Sequence, residues 1–165
     1  MGEGILIYGI GGKNRKYTRG LQSFSDKVLA RGKSNGSIYV FGKTNKAYLS
    51  DLVRKGVRLK SDDAAITDKT VLKYKNHPKR QKGAVVSFHR FRMVEAAVKH
   101  PRNVYIDTHR NRLVYVSSVK YSPSKVLKVV IEPNQKIGKR YYNQVTSIGV
   151  VNKIDMRGKQ YIKIK

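Results

Sequence analysis

The stretch VYIDTHRNRLVYVSSV, residues 104–119, decides the fold. Its arms, 104–108 and 113–119, are built from Val, Tyr, Ile and Leu, side chains that suit a pleated and partly buried surface. Between them His109-Arg110-Asn111-Arg112 is short and polar, so the arms read as two strands of an antiparallel hairpin. The pattern continues downstream: Ser122-Pro123-Ser124 precedes a run at 126–132, and further runs at 141–151 and 160–164 are divided by Pro, Gly and Asn. Connections this short favour antiparallel pairing, and residues 104–164 read as a meander of about five strands.

Upstream the period changes from two to that of a helix. Phe91, Val94 and Val98 fall on one face of a helix predicted over 90–99 and closed by Pro101. A second helix is predicted over 68–75, with Thr67 or Asp68 as its cap and Pro78 ending it. The acidic residues around 61–63 read as a loop leading into it. The first sixty residues read as a strand at 5–10, a loop at 11–20, a helix at 21–30, a strand at 37–41 and a helix at 46–55 stopped by Gly56. In the helix at 21–30, Leu21, Phe24, Val28 and Leu29 form the apolar face, with Ser25 and Asp26 on the wet side. The expected architecture is α+β: a small α/β annex over 1–60, then helices packed on an antiparallel sheet over 61–165.

Charge sets the class of partner. The chain carries 36 Lys and Arg against 10 Asp and Glu, a net +26 over 165 residues. Self-repulsion on that scale destabilises a folded chain unless a polyanion neutralises it. A phosphate backbone does so with release of its counterions, which makes nucleic acid the expected partner ahead of an acidic protein or an anionic membrane. No cysteine is present, which removes disulfide and zinc-thiolate frameworks. The apolar run at 5–10 is too short for a signal-peptide core or a membrane span.

The excess is concentrated. From Lys69 to Arg92 there is no carboxylate, while Lys73, Lys75, Lys79, Arg80, Lys82, Arg90 and Arg92 accompany His77 and His89, two of the four histidines. Breakage of RNA without metal asks for a base to take the 2′-hydroxyl proton, an acid to protonate the leaving 5′-oxygen, and cations to steady the phosphorane. Imidazole titrates in the range both proton roles require. DNA lacks the internal nucleophile, so this inventory favours RNA.

Other motifs are weaker. Gly9-Ile10-Gly11-Gly12-Lys13 lacks the spacing of a phosphate loop, since Ile7 stands where the first glycine belongs and Asn14 where a hydroxyl residue belongs. The acids are scattered and only Asp62 and Asp63 adjoin, so neither a metal site nor a cofactor is expected. Simple alternation along 141–147 places Tyr142, Gln144 and Thr146 on one face of a strand, and Tyr141, Asn143, Val145 and Ser147 on the other. Polarity of this kind in mid-strand suits a groove floor where bases stack and phosphates are hydrogen-bonded. Its ordinary alternative is a wet sheet face. His100, beside Pro101, reads as a charge at a helix end, and His109 as a solvated turn residue.

Helices bearing a His/Lys/Arg segment, then an antiparallel sheet with Tyr and Thr/Ser on a late strand, resemble the small metal-independent ribonucleases of the barnase, EndoU, colicin and RelE type (BECR). The closer likeness is to the phage branch found as C-terminal toxins of MuF-like minor head proteins. It is carried by ITDKTVLKYKNHPKRQKG, VEAAVKHPRNVYID and VVIEPN followed by VTSIGVV. The resemblance implies that His77 or His89 transfers protons, and that Lys79, Arg80 and Arg90 bind or stabilise the phosphate. It implies that Tyr142 and Thr146 or Ser147 position it. Lys73, Lys75, Lys82, Arg92 and Arg140 are the expected further contacts to RNA. Glu95 and Glu132 are the carboxylates that could stand for the barnase base. An acidic immunity protein, no membrane partner, and action in a bacterial cytoplasm after delivery by another cell or a phage particle are also implied. Two other functions compete: a non-catalytic nucleic-acid binder, which needs the charge but not the histidines, and an ADP-ribosyltransferase built on Arg112, Ser117-Ser118 and Glu132.

Overall fold

The hairpin expected around residue 110 joins β5 (Pro101–Asp107) to β6 (Arg112–Ser122), with Tyr105 opposite Val114 and Ile106 opposite Leu113. Asn111 turns the chain at φ 49°, a conformation asparagine tolerates better than most residues. β7 (Lys125–Ile137) and β8 (Arg140–Asn152) extend the meander, and β9 (Tyr161–Lys163) returns to pair antiparallel with the outer side of β5. This is a computed structural model, and it describes residues 5–8, 14–17, 20–75, 86–152 and 158–165.

The fold class is α+β as expected, but the sheet is larger than the sequence suggested. Among the described residues it has nine strands in the order β2-β1-β3-β4-β8-β7-β6-β5-β9. The additional members come from two segments read as loops. β2 (Asn14–Tyr17) pairs with β1 (Ile5–Tyr8), and β4 (Asp63–Thr67) lies mid-sheet. β4 runs antiparallel to β3 (Ile38–Lys43) and parallel to β8, through Ala64 opposite Asn143 and Ala65 opposite Gln144. That parallel contact needs a long crossover, which the chain makes through both central helices and three strands.

Four helices cover one face: α1 (Leu21–Arg31), α2 (Lys46–Arg54), α3 (Asp68–Lys73) and α4 (Phe91–Lys99). One apolar core takes Phe24 and Val28 from α1, Leu49 and Leu52 from α2, Val71 from α3, and Phe91 and Val94 from α4. These pack with Tyr39, Ile66, Leu127, Val145 and Ile148 of the sheet. Residues on both sides of position 60 thus share one sheet and one core. Full burial of a side chain such as Phe91 contributes on the order of 2 kcal/mol. Smaller apolar clusters, around Val114 and Val130 and around Ile38 and Tyr142, occupy the opposite face.

Two local features fix the helices that carry the basic block. The Thr67 hydroxyl accepts from the Thr70 N–H and starts α3, as expected. α1 begins differently: Gly20 has φ 125° and the Leu21 N–H donates to the Glu95 carboxylate of α4. A Cβ on Gly20 would lie 2.5 Å from that carboxylate, so only glycine lets α4 cap α1. Ser25, expected on the wet side, is fully buried, in keeping with the packing of both α3 and α4 against α1.

Candidate nucleic-acid interface

The end of the sheet beside α3 holds a cleft of about 520 Å³. Lys69 and Lys73 reach it from α3, Lys136 from the β7–β8 hairpin and Gln144 from β8, while Thr67, Thr70 and Ser37 add hydroxyls. The one carboxylate in its wall, Asp68, is 1% exposed and already committed. It accepts from Arg31 Nη2 at 3.1 Å, Ser34 Oγ at 2.8 Å, the Asn35 N–H at 2.8 Å and Ser37 Oγ at 3.3 Å. Three exposed ammonium groups therefore share a cleft whose acid is neutralised from behind.

From this cleft the chain enters the acid-free block. Lys73 Nζ donates to the Thr146 carbonyl at 2.9 Å, and the Tyr74 hydroxyl accepts from the Ile148 N–H at 2.6 Å, so α3 is tied to β8. Lys75 is exposed at the helix end. His77, Lys79, Arg80 and Lys82 lie outside the described residues. The block resumes at Ser87, whose N–H donates to the Tyr121 hydroxyl at 2.9 Å and whose Oγ accepts from the His89 N–H. Arg90 donates to the Tyr121 carbonyl at 2.8 Å and lies over the Tyr121 ring, 4.6 Å from its centre. One bond leaves most of the guanidinium fork for a phosphate. His89 and Arg92 are exposed, and His89 does not line this cleft.

The β8 side chains do not form the expected stacking floor. Tyr142 is 5% exposed and packs with Ile38 and Ala65, so no base can lie on its ring. A β-bulge breaks the alternation: Val130 pairs with Ser147, but Ile131 pairs with Val145, which leaves Thr146 as the extra residue. Ser147 thereby shares the face of Val130, away from the helices, whereas Val145, Ile148 and Val150 serve the helix-covered core. Gln144 keeps a site position by lining the lysine cleft, and Arg140 is exposed at the start of β8. Neither Lys69 nor Lys136 was among the expected contacts. Lys136 is 67 positions downstream of Lys69, and only the β7–β8 hairpin brings it near.

The carboxylates considered for catalysis serve structure. Glu95 accepts from the Leu21 N–H and the Tyr39 hydroxyl and pairs with Lys99 at 3.4 Å. Glu132 faces Arg112 at 3.6 Å. Arg112 also bonds Asp107 at 2.9 Å, and the Ser117 hydroxyl is spent on the Leu127 N–H and the Val119 carbonyl. These bonds occupy the groups an ADP-ribosyltransferase would need. His100 donates its N–H to Ala96 O at the end of α4, and the His109 N–H donates to Asp107, which places both at chain turns as expected. No helix among the described residues is long and apolar enough to cross a membrane. No protein-family model, curated protein or solved structure matches the chain.

Proposed function

We propose that this chain is a metal-independent endoribonuclease of the toxin kind. The observation that carries the reading is the three-lysine cleft with its carboxylate neutralised, opening directly into the acid-free block. Ten carboxylates could match at most ten of the 36 cations, so the charge calls for an external polyanion. RNA supplies both the phosphates and the internal nucleophile. Two helices bearing the block, packed on an antiparallel meander, also agree with the layout of the ribonucleases the sequence resembles.

The RNA backbone is held at Lys69, Lys73 and Lys136, with Arg90 and Arg92 as further contacts. A base takes the 2′-hydroxyl proton, the oxygen attacks phosphorus, and the 5′-oxygen departs with a proton from the acid, leaving a 2′,3′-cyclic phosphate. His77 and His89 are the proton carriers of this scheme, with Lys79, Arg80 and Arg90 stabilising the phosphorane. Tyr142 drops out because it is buried, and Ser147 because it does not line the lysine cleft. An inhibitor that silences the activity would present carboxylates to the lysine cleft.

One observation favours a second reading, a binder without chemistry: the exposed His89 does not line the lysine cleft. Replacing His77 and His89 singly by alanine separates the two. Loss of RNA breakage by a factor of about 100 or more in either folded variant, with RNA affinity kept, supports the nuclease. Growth arrest and RNA loss that persist in both variants refute the assigned proton carriers, and retention without any breakage in the parent chain makes it a binder.

A further inference from the structure

A second basic cavity, of about 680 Å³, lies at the far end of α4, where it meets β3 and the start of α2. Its rim carries Lys43, Lys99, His100 and Lys165, and its floor is closed by Tyr48 and Tyr115, edge to face at 5.8 Å and both buried. Among the described residues no side-chain carboxylate lines it. The acids that steady two of the lysines approach from outside: Asp62 at 3.1 Å from Lys43 and Glu95 at 3.4 Å from Lys99. Lys165 Nζ rests on the Pro101 carbonyl at 3.0 Å, while its own carbonyl turns away to the Val104 N–H.

The cavity is held open by the backbone. A β-bulge interrupts the β3–β4 pairing between Val40 and Gly42, and Gly42 has φ 119°. A Cβ there would meet no atom within 4 Å, so the glycine borders open space. Burial pushes the Tyr115 phenol far above its usual range, so the floor stays neutral. The carbonyl end of α4 opposes an anion with about half a charge. Three ammonium groups around the same opening outweigh it.

We infer that this cavity is a nucleotide subsite, its cations holding a phosphate group and its volume leaving room for the attached sugar or base. A site of this size, with cationic groups converging on it, is a usual form of small-ligand pocket. A phosphate that carries a sugar and base fills it better than a bare carboxylate, which would leave most of its volume unused. The inference rests on the reading that the chain meets RNA. The subsite lies at the opposite end of α4 from His89, roughly 14 Å away along the helix axis, and would hold a strand at a second point.

The full chain, isotopically labelled, is titrated by NMR with 5′-AMP, adenosine, a short oligoadenylate and a hexaglutamate peptide. AMP is expected to move the His100 imidazole and Gly42 amide resonances while leaving His89 unmoved. Adenosine should bind at least tenfold more weakly. The double variant Lys43→Gln/Lys165→Gln, checked for an unchanged fold by its spectrum, should lose at least fivefold in AMP affinity. Movement of the same resonances by the oligonucleotide assigns the subsite to an RNA strand, and by AMP alone to a free nucleotide. The inference is overturned if AMP leaves His100 and Gly42 in place, if the double variant binds AMP equally, or if hexaglutamate produces the same shifts as tightly as AMP. AMP binding is read without cleavage, so failure here leaves the nuclease reading to its own assay.

Discussion

The cleft at α3 and the cavity at the end of α4 are each ringed by three lysines, yet they differ in what stands behind the charge. Lys69, Lys73 and Lys136 share walls with hydroxyls and an amide, and the carboxylate among them, Asp68, is buried under four donors. Lys43, Lys99 and Lys165 share theirs with aromatic rings, and the acids near them stay outside. The first, of about 520 Å³, suits a backbone that passes through, and the second, of about 680 Å³, has room for a group that stops there. The same residue type in equal number thus gives two kinds of anion site, set by the neighbours.

The largest effect expected from this contrast falls on Asp68. Removing it leaves Arg31, two hydroxyls and an amide N–H without their shared acceptor, so Asp68→Ala should lower stability by about 3 kcal/mol, measured as a shift in the urea midpoint. A loss below about 1 kcal/mol would show that the α3 cleft is not organised around it.

Asp107 provides a comparison remote from both lysine sets. Burial pushes its carboxyl upward, but bonds from Gln160, Arg112 and the His109 N–H outweigh that and hold it below the usual carboxylate range. A carboxyl lowered in the folded state contributes stability that is present above the unfolded value, near pH 4, and is lost as pH falls through the lowered value. Asp107→Asn should therefore cost about 2 kcal/mol at neutral pH. Thermal unfolding between pH 5 and pH 2 should also depend less steeply on pH in the variant. An unaltered acid profile would contradict the role given to Asp107.

Next in size is the cleft's own charge. Lys69→Gln, Lys73→Gln and Lys136→Gln together should lower affinity for single-stranded RNA at least tenfold. They should also flatten the dependence of log affinity on log salt by about 2, the share of three lost phosphate contacts. The fold should not change, since all three lysines are exposed. An unchanged salt slope would mean that RNA does not pass here. The smallest effect belongs to Asp62→Asn. The Asp62 carboxylate raises Lys43 and is itself lowered by the same hydrogen bond. Because the pair is exposed, its removal should raise AMP affinity only about twofold and leave stability and the RNA salt slope unmoved. A fall in AMP affinity would show that Asp62 orients Lys43 rather than competing for it.

How far the sequence revealed this arrangement depended on whether the signal was local. β5 to β8 were legible because alternating β-branched and aromatic residues stand between turn residues. β4 was not: Asp63-Ala64-Ala65-Ile66-Thr67 has little strand propensity of its own and is a strand because β3 and β8 pair with it on both sides. Ser147 was assigned to the wrong face because one bulged residue reverses the parity of all that follows. The lysines of α3 were visible as part of an acid-free run, whereas Lys136 and the His100 cavity are assembled only by tertiary contacts.

The most direct test of the account is to incubate the purified chain with total RNA in EDTA and map the new ends. The account predicts discrete cuts bearing 2′,3′-cyclic phosphates, absent with His77→Ala and weakened in the triple lysine variant. RNA that is retained by the protein but stays intact would contradict it, and would leave a basic chain that binds RNA without breaking it.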